Sequence, residues 1–407
     1  MSMVLFGSDY TIEVKKKVSS MPSLAIEDAS TSYGDAFKLG FFKALFADMN
    51  VISIFNVDRH RRVTYFKATE VVTENKDKDF VLRYKLFEDD SGKLNVEMKL
   101  IKDDKDILIK KYKISSKKAY VFISHAIAYD INKFMGESDI GWIKKRVLYA
   151  KVTARRKSEI IMSDYTLTYK QPILTKGFNI FPKWANKNQS AIYYTSINGD
   201  KPALKYLDLK TGKITTIASS DGMIVCSDVS NDGKNILVTM SPNGQPDIYM
   251  YNVVNKRFKK LTTYGGIDVN GQFLEKNKIV FISDRLGYPN VFLKDIGSSS
   301  VEQLVYYGRT NSACSANGNY IVYKARESSN IFSKNTFNLH LISLKTDFIR
   351  RLTATGINEY PRFSDDGDAI LFIKNYKNQS AIGVIRLAHN KNYLFPIKGG
   401  RVQSLDW

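Results

Sequence analysis

The stretch Tyr360 to Phe372, YPRFSDDGDAILF, constrains this chain more than any other, because it reads as a strand, a tight Asp-Gly turn and the start of a second strand. Weaker copies recur. Aligned on the apolar run after the turn, they set Val147, Ile192, Ile236, Ile279, Ile321 and Ile370 in register, at spacings of 45, 44, 43, 42 and 49 residues. A second marker closes successive units at Leu174, Ile217, Leu261, Leu304 and Leu352, with a weaker close at LFPI before Lys398. Between the markers lies a third run, seen as SEIIMSDY, ALKYLDL, DIYMYNV, NVFLKDI, NLHLISL and AIGVIRL. Each unit is thus about four short strands. A period of about 40 to 45 residues with four strands is that of a β-propeller blade, whose small sheet buries both faces only by stacking in a ring. Six blades fit the count.

The closing segment GGRVQSLDW resembles the opening of a blade, with Trp407 at the place held by Trp184, Val229, Phe273, Cys314 and Phe363, yet no blade follows. The first unit, from Trp142 to Tyr149, has no such strand before it. The C-terminal strand is therefore expected to complete that blade and close the ring, removing two exposed sheet edges.

Before the repeats the grammar changes. A strand TIEVKKKV and a short polar link precede a helical pattern from Tyr33 to about Met49, with Phe37, Gly40, Phe41, Ala44, Leu45 and Asp48 on one stripe. VISIFNV, VTYFKATEVV, DFVLRYKLFED, LNVEMKLIKD and ILIKKYKI read as strands, with Asp89-Asp90-Ser91-Gly92 turning the third into the fourth. A last helix runs from about Lys118 to Phe134, ended by Gly136. The fold class is α+β multidomain. Residues 1–9 are expected to be a signal remnant or a flexible N-terminus, 10–139 a mixed α/β domain and 140–407 a six-bladed propeller.

Charge is unevenly placed. Of 61 basic and 41 acidic residues, Met1 to Asp139 holds 23 and 21, so the propeller carries +18 of the formal +20. An anionic envelope surface or an acidic protein suits that balance. Nucleic acid is not expected, since no Lys/Arg block is interleaved with aromatics. No apolar run approaches the 18 or so residues of a membrane span. The opening MSMVLFGSDY is too little for a complete secretory signal and reads either as the stump of one or as an ordinary start. Cys226 and Cys314 fall in the third and fifth blades, too far apart to bridge, and are expected as buried free thiols.

These residues resemble the TolB family of periplasmic propellers of the Tol-Pal envelope system. Ser124 to Lys151 is similar to the family's junction, where a Ser-His pair opens the last helix. FPKW, VSNDGKNILV, VFISDRLGYPNVFLKDI and FSDDGDAILF are similar to its blade motifs, although only Pro182 and Pro361 keep the blade proline. The resemblance implies a monomeric periplasmic adaptor whose propeller face binds the peptidoglycan-associated lipoprotein Pal, helping maintain the envelope at division. It also implies an N-terminal segment, Ser8 to Val18, able to engage the inner-membrane partner TolA. The loops entering each innermost strand converge on one channel mouth, which makes a preformed binding face. Its expected residues are Asn179, Phe181, Ile224, Asp268, Asn270, Asn311, Ser312, Asn358, Glu359 and Tyr360, with Arg401 and Gln403 completing the ring.

His60, His125, His340 and His389 are scattered, and the two cysteines lack C-x-x-C spacing, so no metal site is expected. A hydrolase would need G-x-S-x-G, and Gly136 to Gly141 has the wrong spacing. The clusters around Asp366 and Asp232 read as turns, and His125 as a helix-start or packing residue. No catalytic residue and no cofactor is assigned. The alternative reading is a propeller that binds or processes a small ligand or peptide in its channel.

Overall fold

The computed structural model describes residues 21–275, 277–308, 310–327, 336–376 and 379–407. The expected strand TIEVKKKV and the segment Ser8 to Val18 lie outside the described residues.

The first domain is a five-stranded mixed sheet. Strands β1 (Ser23–Asp28), β2 (Asn56–Val63), β3 (Phe80–Glu88), β4 (Leu94–Lys102) and β5 (Lys105–Ile114) take the order β2-β1-β3-β4-β5. β1 runs parallel to both neighbours, and the last three strands form an antiparallel meander. Helices α1 (Asp35–Val51) and α2 (Val121–Phe134) bury Phe41, Leu45 and Met49 and Ile123, Ile127 and Ile131 in one core with the apolar faces of β3 and β4. The turn Asp89 to Gly92 joins β3 to β4 as its sequence requires, with Gly92 at φ +72°.

Three sequence expectations are corrected here. SLAIED is not a polar link but the strand β1, with Leu24 to Asp28 buried. VISIFNV is not a strand: Val51 ends α1, and β2 begins at Asn56. VTYFKATEVV leaves the sheet after Val63. The first and third of these meet at one buried pair. Arg83 on β3 and Glu27 on β1 meet at 2.8 Å with both side chains fully buried, and Arg83 also donates to the carbonyls of Ala68 and Glu70. Glu27 in turn accepts from Val72 N and Asn75 Nδ2. A loop wrapped round a buried charge satisfies its backbone through side chains instead of a ladder.

The propeller follows. Six innermost strands, Asn179–Trp184, Ile224–Val229, Asp268–Glu275, Asn311–Asn317, Ile357–Phe363 and Arg401–Asp406, each lead a blade. The residues aligned in the sequence, Val147 through Ile370, all lie on the second strands. Arg401–Asp406 pairs with Val147–Ala154, so the C-terminal strand completes the first blade. Blades five and six are joined through Phe337 opposite Ile357. One alignment changes: Ala316, not Cys314, pairs with Ile321 as Trp184 pairs with Ile192. The hairpin that follows this strand is shorter than its counterpart in blade two, which moves the pairing along the strand. Both cysteines are buried and free, and burial pushes the Cys314 thiol up to about 12.

The domains share a core. Trp142, Tyr165, Ile373 and Ile382 of the propeller pack in one cluster with Leu45 and Ile127.

Candidate partner-binding face and central channel

The repeat places one feature in every innermost strand: a β-bulge two or three residues from its start. The extra residue bends the strand and re-aims side chains at the channel mouth. Phe181, Asn270, Ala313 and Tyr360 sit at these bulges with φ of +51° to +57°. Asparagine tolerates that conformation. Bulky Phe and Tyr adopt it at a cost of about 1–2 kcal/mol, and such strain clusters at functional sites. The Phe181 and Tyr360 rings face each other across the mouth at 6.3 Å between centroids.

The expected face residues divide into two groups. Asn179, Ile224, Asp268, Asn311 and Asn358 are buried. The three asparagines donate back into the preceding loop, to the carbonyls of Lys176, Tyr307 and Thr355. Asp268 accepts both its bonds from Arg285 Nη2 at 3.2 Å. These residues shape the loops. The remainder reach the mouth: Phe181, Asn270, Ser312, Glu359, Tyr360, Arg401 and Gln403 are partly or fully exposed. Asn270 donates to Cys314 O in the next blade at 2.9 Å. Glu359 gathers Lys324 at 3.2 Å, Arg401 at 3.5 Å and Asn375 at 2.7 Å.

Sequence reasoning missed the outer part of this face. Loops leading into and flanking the innermost strands of blades three to five carry Met223, Tyr264, Ile267, Leu286, Tyr306 and Tyr307, from 37% exposed at Tyr264 to 78% at Tyr307. Connectivity puts all six at the end where the innermost strands begin. Arg285 stiffens the crescent, its guanidinium 5.1 Å from the Tyr264 ring and held below by Asp268. The available signal was apolar residues recurring in the short connections YGGI, RLGY and VYYG.

A second site missed in the sequence joins the two domains. Asp48 on α1 accepts from Ser124 Oγ and Tyr165 Oη and from His125 Nδ1 at 2.9 Å, and all four side chains are buried. His125 Nε2 lies 3.3 Å from Asp164 of blade one, an ion-pair contact without hydrogen-bond alignment. Burial alone would lower the imidazole, but the Asp48 and Asp164 carboxylates raise it to about 9. Burial would raise Asp164, and the His125 contact and the Thr166 hydroxyl hold it below the usual carboxylate range. His125 is thus an interdomain cation. Asp48 on an otherwise apolar helical stripe was the available clue.

Comparison with known proteins decides the family. Residues 136–407 match the family model described as the TolB beta propeller domain. The chain is 45% identical over 410 residues to the Tol-Pal system protein TolB of Wolinella succinogenes, covering 99% of this chain and 97% of that protein. It is 40% identical over 406 residues to the Tol-Pal system protein TolB of Campylobacter jejuni, covering 99% and 96%. The chain belongs to the TolB family. TolB is a non-enzymatic, typically periplasmic family. The crystal structure of TolB from Acinetobacter baumannii shares the fold, with a TM-score of 0.75 at 20% identity over 95% of this chain and 98% of that one. Among the described residues, no helix is long and apolar enough to cross a membrane.

Proposed function

We propose that this TolB-family chain is a periplasmic adaptor of a Tol-Pal assembly, binding a peptidoglycan-associated lipoprotein through the propeller end where the innermost strands begin. Envelope integrity and constriction at division follow from that role, and an N-terminal segment engaging TolA belongs to the same reading. The observation that carries it is the exposed crescent Met223, Tyr264, Ile267, Leu286, Tyr306 and Tyr307 beside the strained pair Phe181 and Tyr360. Exposed aromatic and aliphatic anchors round a rigid, polar-rimmed mouth are what a protein interface uses for its central contacts. The relatives' membership of the Tol-Pal system supports the choice of partner.

Binding of the lipoprotein's periplasmic domain to the full chain tests it, with Ile267→Asp/Tyr307→Asp as the variant. Both side chains are exposed, so the fold tolerates the change. Loss of about tenfold or more in affinity is expected. Unchanged affinity in a folded variant, or no binding by the unmodified chain, overturns the reading.

A further inference from the structure

The channel's other end, where each innermost strand turns back into the second strand, is a separate funnel of about 820 Å³. Its size falls in the range of small-molecule sites. The floor takes one residue from each blade: Asp406, Lys183, Asp228, Gln272, Ser315 and Arg362. Most of these are already engaged. Lys183 Nζ lies 2.8 Å from Asp406 Oδ1 and 3.4 Å from Asp228 Oδ1. The same carboxylates accept the backbone N–H groups of Trp184 at 2.9 Å and Phe273 at 2.8 Å. Ser315 Oγ accepts from Phe363 N at 3.2 Å. The floor is thus a set of bonds tying each blade to the next.

Arg362 stands apart. Among the described residues its guanidinium donates one hydrogen bond, Nη1 to Gln272 Oε1 at 2.6 Å. Nε is buried without a hydrogen-bond partner, 4.0 Å from an Asp406 oxygen that Lys183 already neutralises. A guanidinium has five donors in a fixed fork that matches a carboxylate. Leaving a charged group's donors unused in a partly desolvated floor is costly, so the arrangement is one that an incoming anionic group completes. Above the floor the wall carries Phe363, Trp407 and three amides, of which Asn186 is tied to Ser190 and Asn317 donates to the Ser364 and Asp365 carbonyls, while Asn231 has no side-chain partner among the described residues. The Asn231 amide can both donate and accept, which suits the N–H and C=O of one peptide unit.

We propose that this far mouth binds the free carboxyl terminus of a short peptide, with Arg362 clamping the terminal carboxylate and the Asn231 amide pairing with the peptide backbone. The funnel's ionic lining balances, Lys145, Lys183, Lys187 and Arg362 against Asp228, Asp232, Asp365 and Asp406, so it selects a single well-placed charge rather than a polyanion. The site lies at the opposite end from the lipoprotein face, and the two are independent.

The test is calorimetric titration of the full chain with N-acetyl-trialanine bearing a free carboxylate and with its C-terminal amide. The acid is expected to bind at least about tenfold more tightly than the amide. Arg362→Gln should abolish that difference. Arg362→Lys, which keeps the charge and loses the fork, should weaken acid binding about fivefold or more. Lipoprotein binding in both variants stays unchanged, which separates this site from the face described above. Equal binding of acid and amide by the unmodified chain overturns the proposal without any variant. So does the absence of binding by either peptide at ~5 mM, or an Arg362→Gln chain that is folded and still prefers the acid.

Discussion

Arg386 Nη1, on the third strand of blade six, donates to the Ile52 carbonyl at 3.0 Å, so a propeller blade caps the C-terminal end of helix α1 in the other domain. The same group reaches the Val51 carbonyl at 3.2 Å, and Asp368 lies 2.7 Å from Nε. Asp368 also accepts from Trp142 Nε1 at 3.1 Å. A cation at a helix C-terminus meets the negative end of the dipole, and burial leaves little solvent to compete. Arg386→Leu should therefore destabilise the chain by about 3 kcal/mol, because Asp368 and two carbonyls lose their partner at once. Denaturant unfolding of Arg386→Leu alone and with Asp368→Asn checks this: the double variant should be less destabilised than two independent losses imply.

The His125 cluster gives a pH dependence whose sign is fixed. The group's folded value is raised from 6.5 to about 9, so the folded chain holds this proton more tightly than the unfolded one. Its contribution is fully present below pH 6.5 and is lost as pH rises through about 9. The melting temperature should fall between pH 7 and 10 in the unmodified chain and fall less in His125→Gln. Parallel pH profiles for the two chains would remove the assignment.

How much was legible depended on period and on polarity. The ring, its closure by Arg401–Asp406 and the second strands through Ile192 and Ile370 were all readable, because repeated apolar registers leave a blade few alternatives. What escaped was polar and buried. Glu27 and Asp28 made β1 look like a link, and His125 looked like packing, since a single polar residue does not reveal a partner 56 or 77 positions away. In the candidate face, the strand-start asparagines that the repeat picks out serve as internal ties of the loops, while the exposed tyrosines lie in segments that the repeat assigns no role.

Gly383 faces Phe372 directly across the pairing of the second and third strands of blade six. A Cβ there would lie 2.2 Å from the Phe372 ring, far inside contact distance. The ring is itself buried and has nowhere free to swing. Gly383→Ala should cost about 1–3 kcal/mol by overpacking. Adding Phe372→Leu should recover part of that loss, whereas at a site without this contact the second change would only add damage.

The +18 of residues 140–407 predicts how the partner is met as well as what it is. Charges spread over a surface act within a Debye length, so association with an acidic partner should slow about tenfold between low salt and ~0.15 M, with dissociation changing less. Stopped-flow or surface-binding kinetics at two ionic strengths measures this. A flat association rate would leave the binding face standing and remove the steering.

Deleting Gly399–Trp407 should open the ring rather than fray an end. The segment supplies the innermost strand of blade one, paired from Arg401 to Asp406 with Val152 to Leu148. It also supplies Asp406, which holds Lys183 and the Trp184 N–H, and Trp407, whose Nε1 donates to Phe363 O at 2.9 Å. Losing it exposes the edge of Val147–Ala154 and leaves Lys183 with Asp228 alone. The melting temperature should drop by about 10 °C or more, since several kcal/mol are removed together. Trp407→Ala separates packing from closure: it should cost less than the deletion while keeping the Asp406 to Lys183 pair. A deletion no worse than the point change would mean that the ring does not depend on its last strand.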